Sequence, residues 1–191
     1  MDRIQPLLQE LTCGDDDRAE AAVQNLVALG AQIIPTLQEL LSAGQSDARW
    51  WAARTLAEIH DPAIPSLLIK ALHDPDKAVR ECAAIGLRQQ PVPAAVPDLI
   101  ECILGEDGEL VQLASDALVS IGAQAAQPLI DVLKTRPQGA RLAAIRALAR
   151  IGDTRSIPAL FEALSQDSSL MEYWANEGLE KMGVGMTFFK T

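Results

Sequence analysis

The sequence predicts an all-α protein, an α-solenoid of six short helical hairpins, and three observations predict it. Proline recurs at Pro6, Pro35, Pro65, Pro97, Pro128 and Pro158, in steps of 29, 30, 32, 31 and 30 residues. Leucine recurs at Leu26, Leu56, Leu87, Leu118, Leu148 and Leu179, and alanine stands four residues before each, at Ala22, Ala52, Ala83, Ala114, Ala144 and Ala175. Ala and Leu dominate while aromatics make up 4% of the chain, a composition that favours helix. Self-similarity at a fixed period of this size is the mark of a stacked-repeat protein, and 191 residues suffice for a sizeable core.

Each proline suits the first turn of a helix, where its missing N–H would have had no partner. The six prolines are therefore expected to open six first helices. An aliphatic residue two positions on (Leu8, Leu37, Leu67, Leu99, Ile130, Leu160) starts the buried face. The second helices carry the alanine and leucine columns, continued three residues later by Leu29, Ile59, Gln90, Ile121, Ile151 and Met182. That spacing is one face of a 3.6-residue period. Gly30, Gly122, Gly152 and Gly183 follow directly, as left-handed helix stops. The repeats are expected at 4–30, 31–60, 61–91, 92–122, 123–152 and 153–183, with 184–191 a cap or tail. Neither helix is long enough to stand alone in water, so each buries its face on its partner and on the next repeat. Alanine lets two backbones approach closely, and leucine fills the space beside it.

The turns within hairpins read GDDD at 14–17, GQSD at 44–47, DPDK at 74–77, GEDGE at 105–109, RPQG at 136–139 and SQDSS at 165–169. Their acidity is read as helix capping, since none has the ligand spacing of a calcium loop. The third repeat departs from the pattern: Gln90 takes the apolar slot and Pro91 the place of the stop glycine, with Pro93 and Pro97 following. Either a stiff bend between repeats three and four or simple drift in a tolerant loop accounts for it.

Net charge is −10 and the isoelectric point about 4.6. Nucleic-acid binding needs a basic stripe, so it is not expected. No apolar window is long enough for a membrane span, and MDRIQPLLQE has neither a basic nor an apolar export region, so a cytoplasmic protein is expected. Cys13, Cys82 and Cys102 have no CxxC or CxxH spacing and are read as small packed hydrophobes. His60 and His73 stand on either side of a helix and cannot share a metal locally. No phosphate loop, nucleophile elbow or triad spacing is present. No catalytic or metal-binding residue is expected, and no resident cofactor.

Trp50 and Trp51 are adjacent in a chain with three tryptophans, and neighbours on a helix cannot face the same way. Trp51 belongs to an apolar column with Ala21, Cys82, Leu113, Ala143 and Trp174, and is read as half-buried between repeats. Trp50 belongs to a mixed column: Glu20, Trp50, Glu81, Gln112, Leu142 and Tyr173. Four residues on come Gln24, Arg54, Ile85, Asp116, Arg146 and Glu177, and four further Ala28, Glu58, Gln89, Ser120, Arg150 and Lys181. Positions i, i+4 and i+8 share a face, so the second helices are expected to carry an exposed ridge. Its candidate partner-binding residues are Trp50, Arg54, Glu58, Glu81, Gln112, Asp116, Leu142, Arg146, Arg150, Tyr173 and Glu177. An exposed Trp beside an Arg is a typical anchor for a protein partner; the alternative is that Trp50 folds over a neighbouring repeat. Arg141, Arg146 and Arg150 are either a solvated face with intrahelical pairs or a patch that receives carboxylates, from acidic side chains or tetrapyrrole propionates.

The units IPSLLIKALHDPDKAVRECAAIGL and AQPLIDVLKTRPQGARLAAIRALARIGD resemble short HEAT repeats of the phycobilin-lyase type. The resemblance extends over all six repeats. It implies a right-handed superhelix with the second helices on the concave side. It also implies a non-catalytic protein-binding scaffold, serving phycobiliprotein or phycobilisome assembly or turnover. The alternative it carries is a subunit of a heterodimeric bilin lyase, which attaches phycobilin to a phycobiliprotein cysteine, with a second HEAT subunit as partner and a bilin bound only in passing. Some HEAT proteins are di-iron hydroxylases with His-Glu pairs; here the pairs are His60-Asp61 and His73-Asp74, so that activity is not expected. Phe188 and Phe189 either close the last repeat or present a tag to a partner.

Overall fold

The computed structural model describes residues 4–135, 137–165 and 168–184. They form twelve α-helices, and no strand occurs among them. The helices pair as α1 (Ile4–Leu11) with α2 (Asp16–Val27), α3 (Ile34–Ala43) with α4 (Ser46–Glu58), and α5 (Ile64–Ala71) with α6 (Lys77–Gln89). They continue as α7 (Val96–Ile103) with α8 (Gly108–Ile121), α9 (Ala123–Thr135) with α10 (Gln138–Ile151), and α11 (Ile157–Leu164) with α12 (Ser169–Lys181). The chain divides into two compact units, Met1–Gln90 and Pro91–Thr191, of three hairpins each. Phe188 and Phe189, with Arg136, Gln166 and Asp167 of the turns, lie outside the described residues.

Pro35, Pro65, Pro97 and Pro158 occupy the first or second position of α3, α5, α7 and α11. Pro128 does not open its helix: it lies inside α9, which begins at Ala123. Gly122, at φ +76°, ends α8. The five residues after it are Ala and Gln, strong helix formers, so the coil starts early and absorbs the missing N–H. In three other hairpins a short 3-10 turn precedes the proline helix instead: Gly30–Ile33, Pro93–Ala95 and Thr154–Ser156.

Four of the six second helices are capped by a side chain. Asp15, Asp76, Asp107 and Ser168 accept from the N–H of Arg18, Ala78, Glu109 and Met171. Gln45 and Pro137, before α4 and α10, cap nothing with their side chains. Every member of the alanine and leucine columns is at most 2% exposed. Burying a leucine in this way is worth roughly 1.5–3 kcal/mol, which is why neither helix of a hairpin holds without its neighbours.

Within each unit a glycine marks where consecutive second helices come closest. A Cβ on Gly86 would lie 2.8 Å from Leu68 Cδ1 and 2.9 Å from the Ala57 methyl. One on Gly178 would lie 2.9 Å from Leu160 Cδ1 and 3.0 Å from Ala149 Cα, a backbone atom with little room to yield. Gly178→Val is therefore expected to destabilise the second unit by about 1–3 kcal/mol through overpacking. Thermal unfolding checks this; an unchanged midpoint would mean that α10 and α12 have slack between them.

The three cysteines differ in surroundings. Cys82 is buried, and burial pushes its thiol up to about 12, against the opposing field of Arg54. Cys102 is half-buried. Cys13, expected to be packed, is instead exposed, because it follows α1 in the turn before Asp15, where no helix covers it. Since the thiolate is the reactive form, a thiol reagent at neutral pH is expected to label Cys13 in the native protein and Cys82 only on unfolding. Equal labelling rates would contradict the packing around α6.

Candidate functional site

The predicted ridge residues lie on the second helices, all of them partly accessible to solvent. In the first unit Trp50 is half-buried instead of being the exposed ring of its pair, and Trp51 is buried at 5% exposure. The two rings meet edge to face, with centroids 4.7 Å apart and planes at 84°. That contact removes part of Trp50 from solvent while leaving one side open. The open side borders a hollow of about 460 Å³ lined by Asp16, Asp17, Glu20, Asp47, Trp50 and Trp51. In the second unit Gln112, Asp116, Leu142 and Arg146 are half-buried, and Arg150, Tyr173 and Glu177 are exposed. Tyr173 stacks edge to face on Trp174, 5.2 Å between centroids.

Charged groups cross between repeats with one register. Arg54 Nη2 donates to Glu20 Oε1 at 3.0 Å, Gln24 Nε2 to Glu58 Oε2 at 3.4 Å, and Arg150 Nη1 to Asp116; each pair is 34 residues apart. Arg54 also pairs with Glu58 one turn along α4. Burial opposes the charge of Arg54, but the hydrogen bond to Glu58 and the fields of Glu58 and Glu20 outweigh it and raise its pKa further. Gln112 Nε2 donates to Asp116 Oδ2 at 3.3 Å, and the Lys181 ammonium donates to the carbonyl oxygen of Arg150. On α6, Lys77 Nζ lies 3.2 Å from Glu81 Oε1, an ion pair without hydrogen-bond geometry. These crossings explain why Arg54, Glu58 and Asp116 are half-buried: each is met by a long side chain from the adjacent repeat.

The three arginines of α10 are neither a uniform patch nor paired among themselves. Arg141 Nε donates to the Leu133 carbonyl oxygen at 2.9 Å and fastens the hairpin. Arg150 reaches back to Asp116. Arg146 Nε is buried with no hydrogen-bond partner among the described residues.

Also unanticipated is a pair that joins α4 to the turn before α6. Arg49 Nε and Nη2 donate to Asp74 Oδ2 and Oδ1, both at 2.8 Å. Among the described residues no cluster of three or more His, Cys, Asp and Glu could hold a metal, and no helix is long and apolar enough to cross a membrane.

Stacked helical hairpins with a buried alanine–leucine seam and a polar ridge define a helical-repeat solenoid, a class built to present extended binding surfaces. The chain belongs to the HEAT-repeat family: HEAT repeats match at residues 4–69, 49–119, 64–140 and 126–185. Over 106 residues it is 36% identical to the phycobilisome maturation protein of Synechococcus elongatus, covering 54% of this chain and 50% of that one. Over 82 residues it is 39% identical to the phycocyanobilin lyase subunit beta of Pseudanabaena tenuis, covering 42% and 29%. The chain thus matches half or less of the length of these curated relatives. Its fold is similar to that of a chain in the complex of CpcE and CpcF of phycocyanin lyase from Nostoc sp. PCC7120, with a TM-score of 0.56, 24% identity, and coverage of 94% of this chain and 77% of that one. It is a HEAT-repeat protein similar to a phycobilisome maturation protein and to phycocyanobilin lyase subunits.

Proposed function

We propose that the chain is a non-catalytic scaffold that binds another protein through the ridge of its second helices, and that this partner is a phycobiliprotein or an assembly client of the phycobilisome. The observation that carries the reading is Trp50. Its ring is half open beside a hollow of about 460 Å³ with four carboxylates on its walls, so a partner side chain can enter and stack there. The likeness to a phycobilisome maturation protein supports this client class. On this reading the protein has no resident cofactor and acts as a soluble cytoplasmic partner.

The second reading, a subunit of a heterodimeric bilin lyase, is favoured by the likeness to a phycocyanobilin lyase subunit beta. A second HEAT subunit would then complete the site, and the protein's part would be to position chromophore and acceptor cysteine.

One experiment addresses both. The purified chain is titrated with phycocyanin apo-subunits, with and without phycocyanobilin, and complex formation and covalent chromophore are measured. The scaffold reading expects a complex that Trp50→Ala weakens at least tenfold, with no chromophore attached. An affinity unchanged by Trp50→Ala removes that residue from the site. Covalent attachment that appears only when a second HEAT subunit is added moves the assignment to the lyase.

A further inference from the structure

The 34-residue register gives Arg54 and Arg150 an acid, Glu20 and Asp116, and Arg146 finds none at the same offset. Arg54 has Glu20 at that position, 3.0 Å away, and Glu58 one turn ahead on its own helix. Arg146 is the equivalent residue of the fifth repeat, and the corresponding positions hold Gln112 and Arg150. A carboxamide and a second guanidinium replace the two carboxylates. Gln112 turns its amide to Asp116, and Asp116 takes Arg150. Lys181 comes in from the next repeat to the Arg150 carbonyl. Arg146 keeps a buried Nε without a hydrogen-bond partner among the described residues. In a chain of net charge −10, Arg146 is a half-buried, planar donor without a hydrogen-bonded acid among the described residues.

We infer that Arg146 is a carboxylate-binding site on the ridge of the second unit, completed by an acidic group that the bound partner brings. The inference rests on the reading of the ridge as the partner surface and adds the chemistry of the contact. A planar guanidinium carries parallel N–H donors that match the two oxygens of a carboxylate, and the buried Nε of Arg146, which has no acceptor among the described residues, gains one when the side chain turns toward the incoming group. Arg150 and Lys181 raise the potential at the same place, and Leu142 and Tyr173 give it an apolar border on α10 and α12. The donor is already partly desolvated, so the pair is stronger than one made at an open surface. In the first unit the chain supplies this acid itself, through Glu20 and Glu58, which closes the equivalent position to a partner.

Two sources carry this chemistry: an acidic side chain of a protein and the propionate of an open-chain tetrapyrrole. The test is calorimetric titration of the full chain at low salt with N-acetyl hexaglutamate amide, with phycocyanobilin, and with phycocyanobilin dimethyl ester. Binding of at least one carboxylate probe is expected, weakened about tenfold or more by Arg146→Gln, the typical loss for a charge-assisted hydrogen-bonded pair. Gln112→Glu restores the acid that Arg54 enjoys and is expected to weaken the same probe to a similar extent, with the thermal midpoint kept or raised. Arg88→Gln, an exposed charge off the ridge, is expected to change affinity less than twofold. Binding of hexaglutamate assigns the site to an acidic protein segment; binding of phycocyanobilin but not its ester assigns it to a propionate. Equal affinity of the native chain and Arg146→Gln overturns the inference, as does failure of both carboxylate probes to bind the native chain. Neither result touches the scaffold reading, which is decided by complex formation with the apo-subunits.

Discussion

Leu118→Ala is expected to lower the stability of the second unit by about 2–5 kcal/mol, the range for a leucine deleted from a rigid core. Leu118 is fully buried, as is Ala114 one turn before it on α8. The leucine fills the gap that the alanine leaves between α8 and its neighbours α7 and α10, so its removal opens a cavity that two flanking helices must move to close. Ile121, one turn further along and half-buried, is the internal control: Ile121→Ala is expected to cost less, because water already covers part of the side chain. Urea unfolding of both variants measures the difference. A loss under about 1 kcal/mol at Leu118, or a larger loss at Ile121, would mean that the leucine column is not the seam of the stack.

The seam was legible because it repeats. A residue at the same position in six hairpins meets the same neighbours six times, so the alanine and leucine columns stand out of a single sequence. Gly122, Gly152 and Gly183 were legible for the same reason, and each has φ between +71° and +76°. Pro128 was misread because the proline marks a permitted helix start, while the five Ala and Gln residues before it decide where the coil begins. Gly86 and Gly178 gave no signal: a glycine inside a helix reads as a weak helix former, and only the backbone of the preceding repeat reveals that no Cβ fits.

The ridge was legible as a set of columns but not as a set of exposures. Trp50 and Arg146 share a chemically mixed face with charged neighbours, which suggests solvent, yet both are half-buried. Trp50 is covered in part by the ring of Trp51 beside it, and the charged groups along the same ridge, Arg54 and Arg150, meet residues 34 positions away, one repeat plus about one helical turn. Comparing equivalent positions at the repeat period therefore passes over the partner. The Arg49–Asp74 pair escaped for a related reason: it joins a second helix to the turn of the following hairpin, two places with no common column.

Asp74→Ala is expected to cost the first unit about 3 kcal/mol, toward the low end for breaking a buried pair because Arg49 keeps 16% of its side chain exposed. Asp74 holds both ends of the Arg49 fork and accepts the Asp76 N–H at 2.8 Å, while its backbone oxygen takes Arg80 Nη1 at 2.9 Å. Arg49 Nη1 meanwhile reaches the Gly44 carbonyl at 3.1 Å. The pair thus ties the turn before α4 to the turn before α6, and loss of the carboxylate leaves a partly desolvated guanidinium with one weak acceptor. Burial alone would raise the Asp74 pKa; the hydrogen bonds from Arg49 and the Asp76 backbone outweigh it and hold the carboxyl below the usual carboxylate range. A folded-state pKa below the unfolded value near 4 contributes stability above that pH, and this contribution is lost as pH falls through the lower, folded value. The gap between native and Asp74→Ala should therefore be constant from neutral pH down to about 5, and shrink below about 4. The Asp153–Arg155 pair, in which Arg155 holds Asp153 down to about 2, is present in both proteins and cancels from the difference. A gap that persists undiminished at pH 2 would assign the loss to packing of the turn instead of to the charge on Asp74.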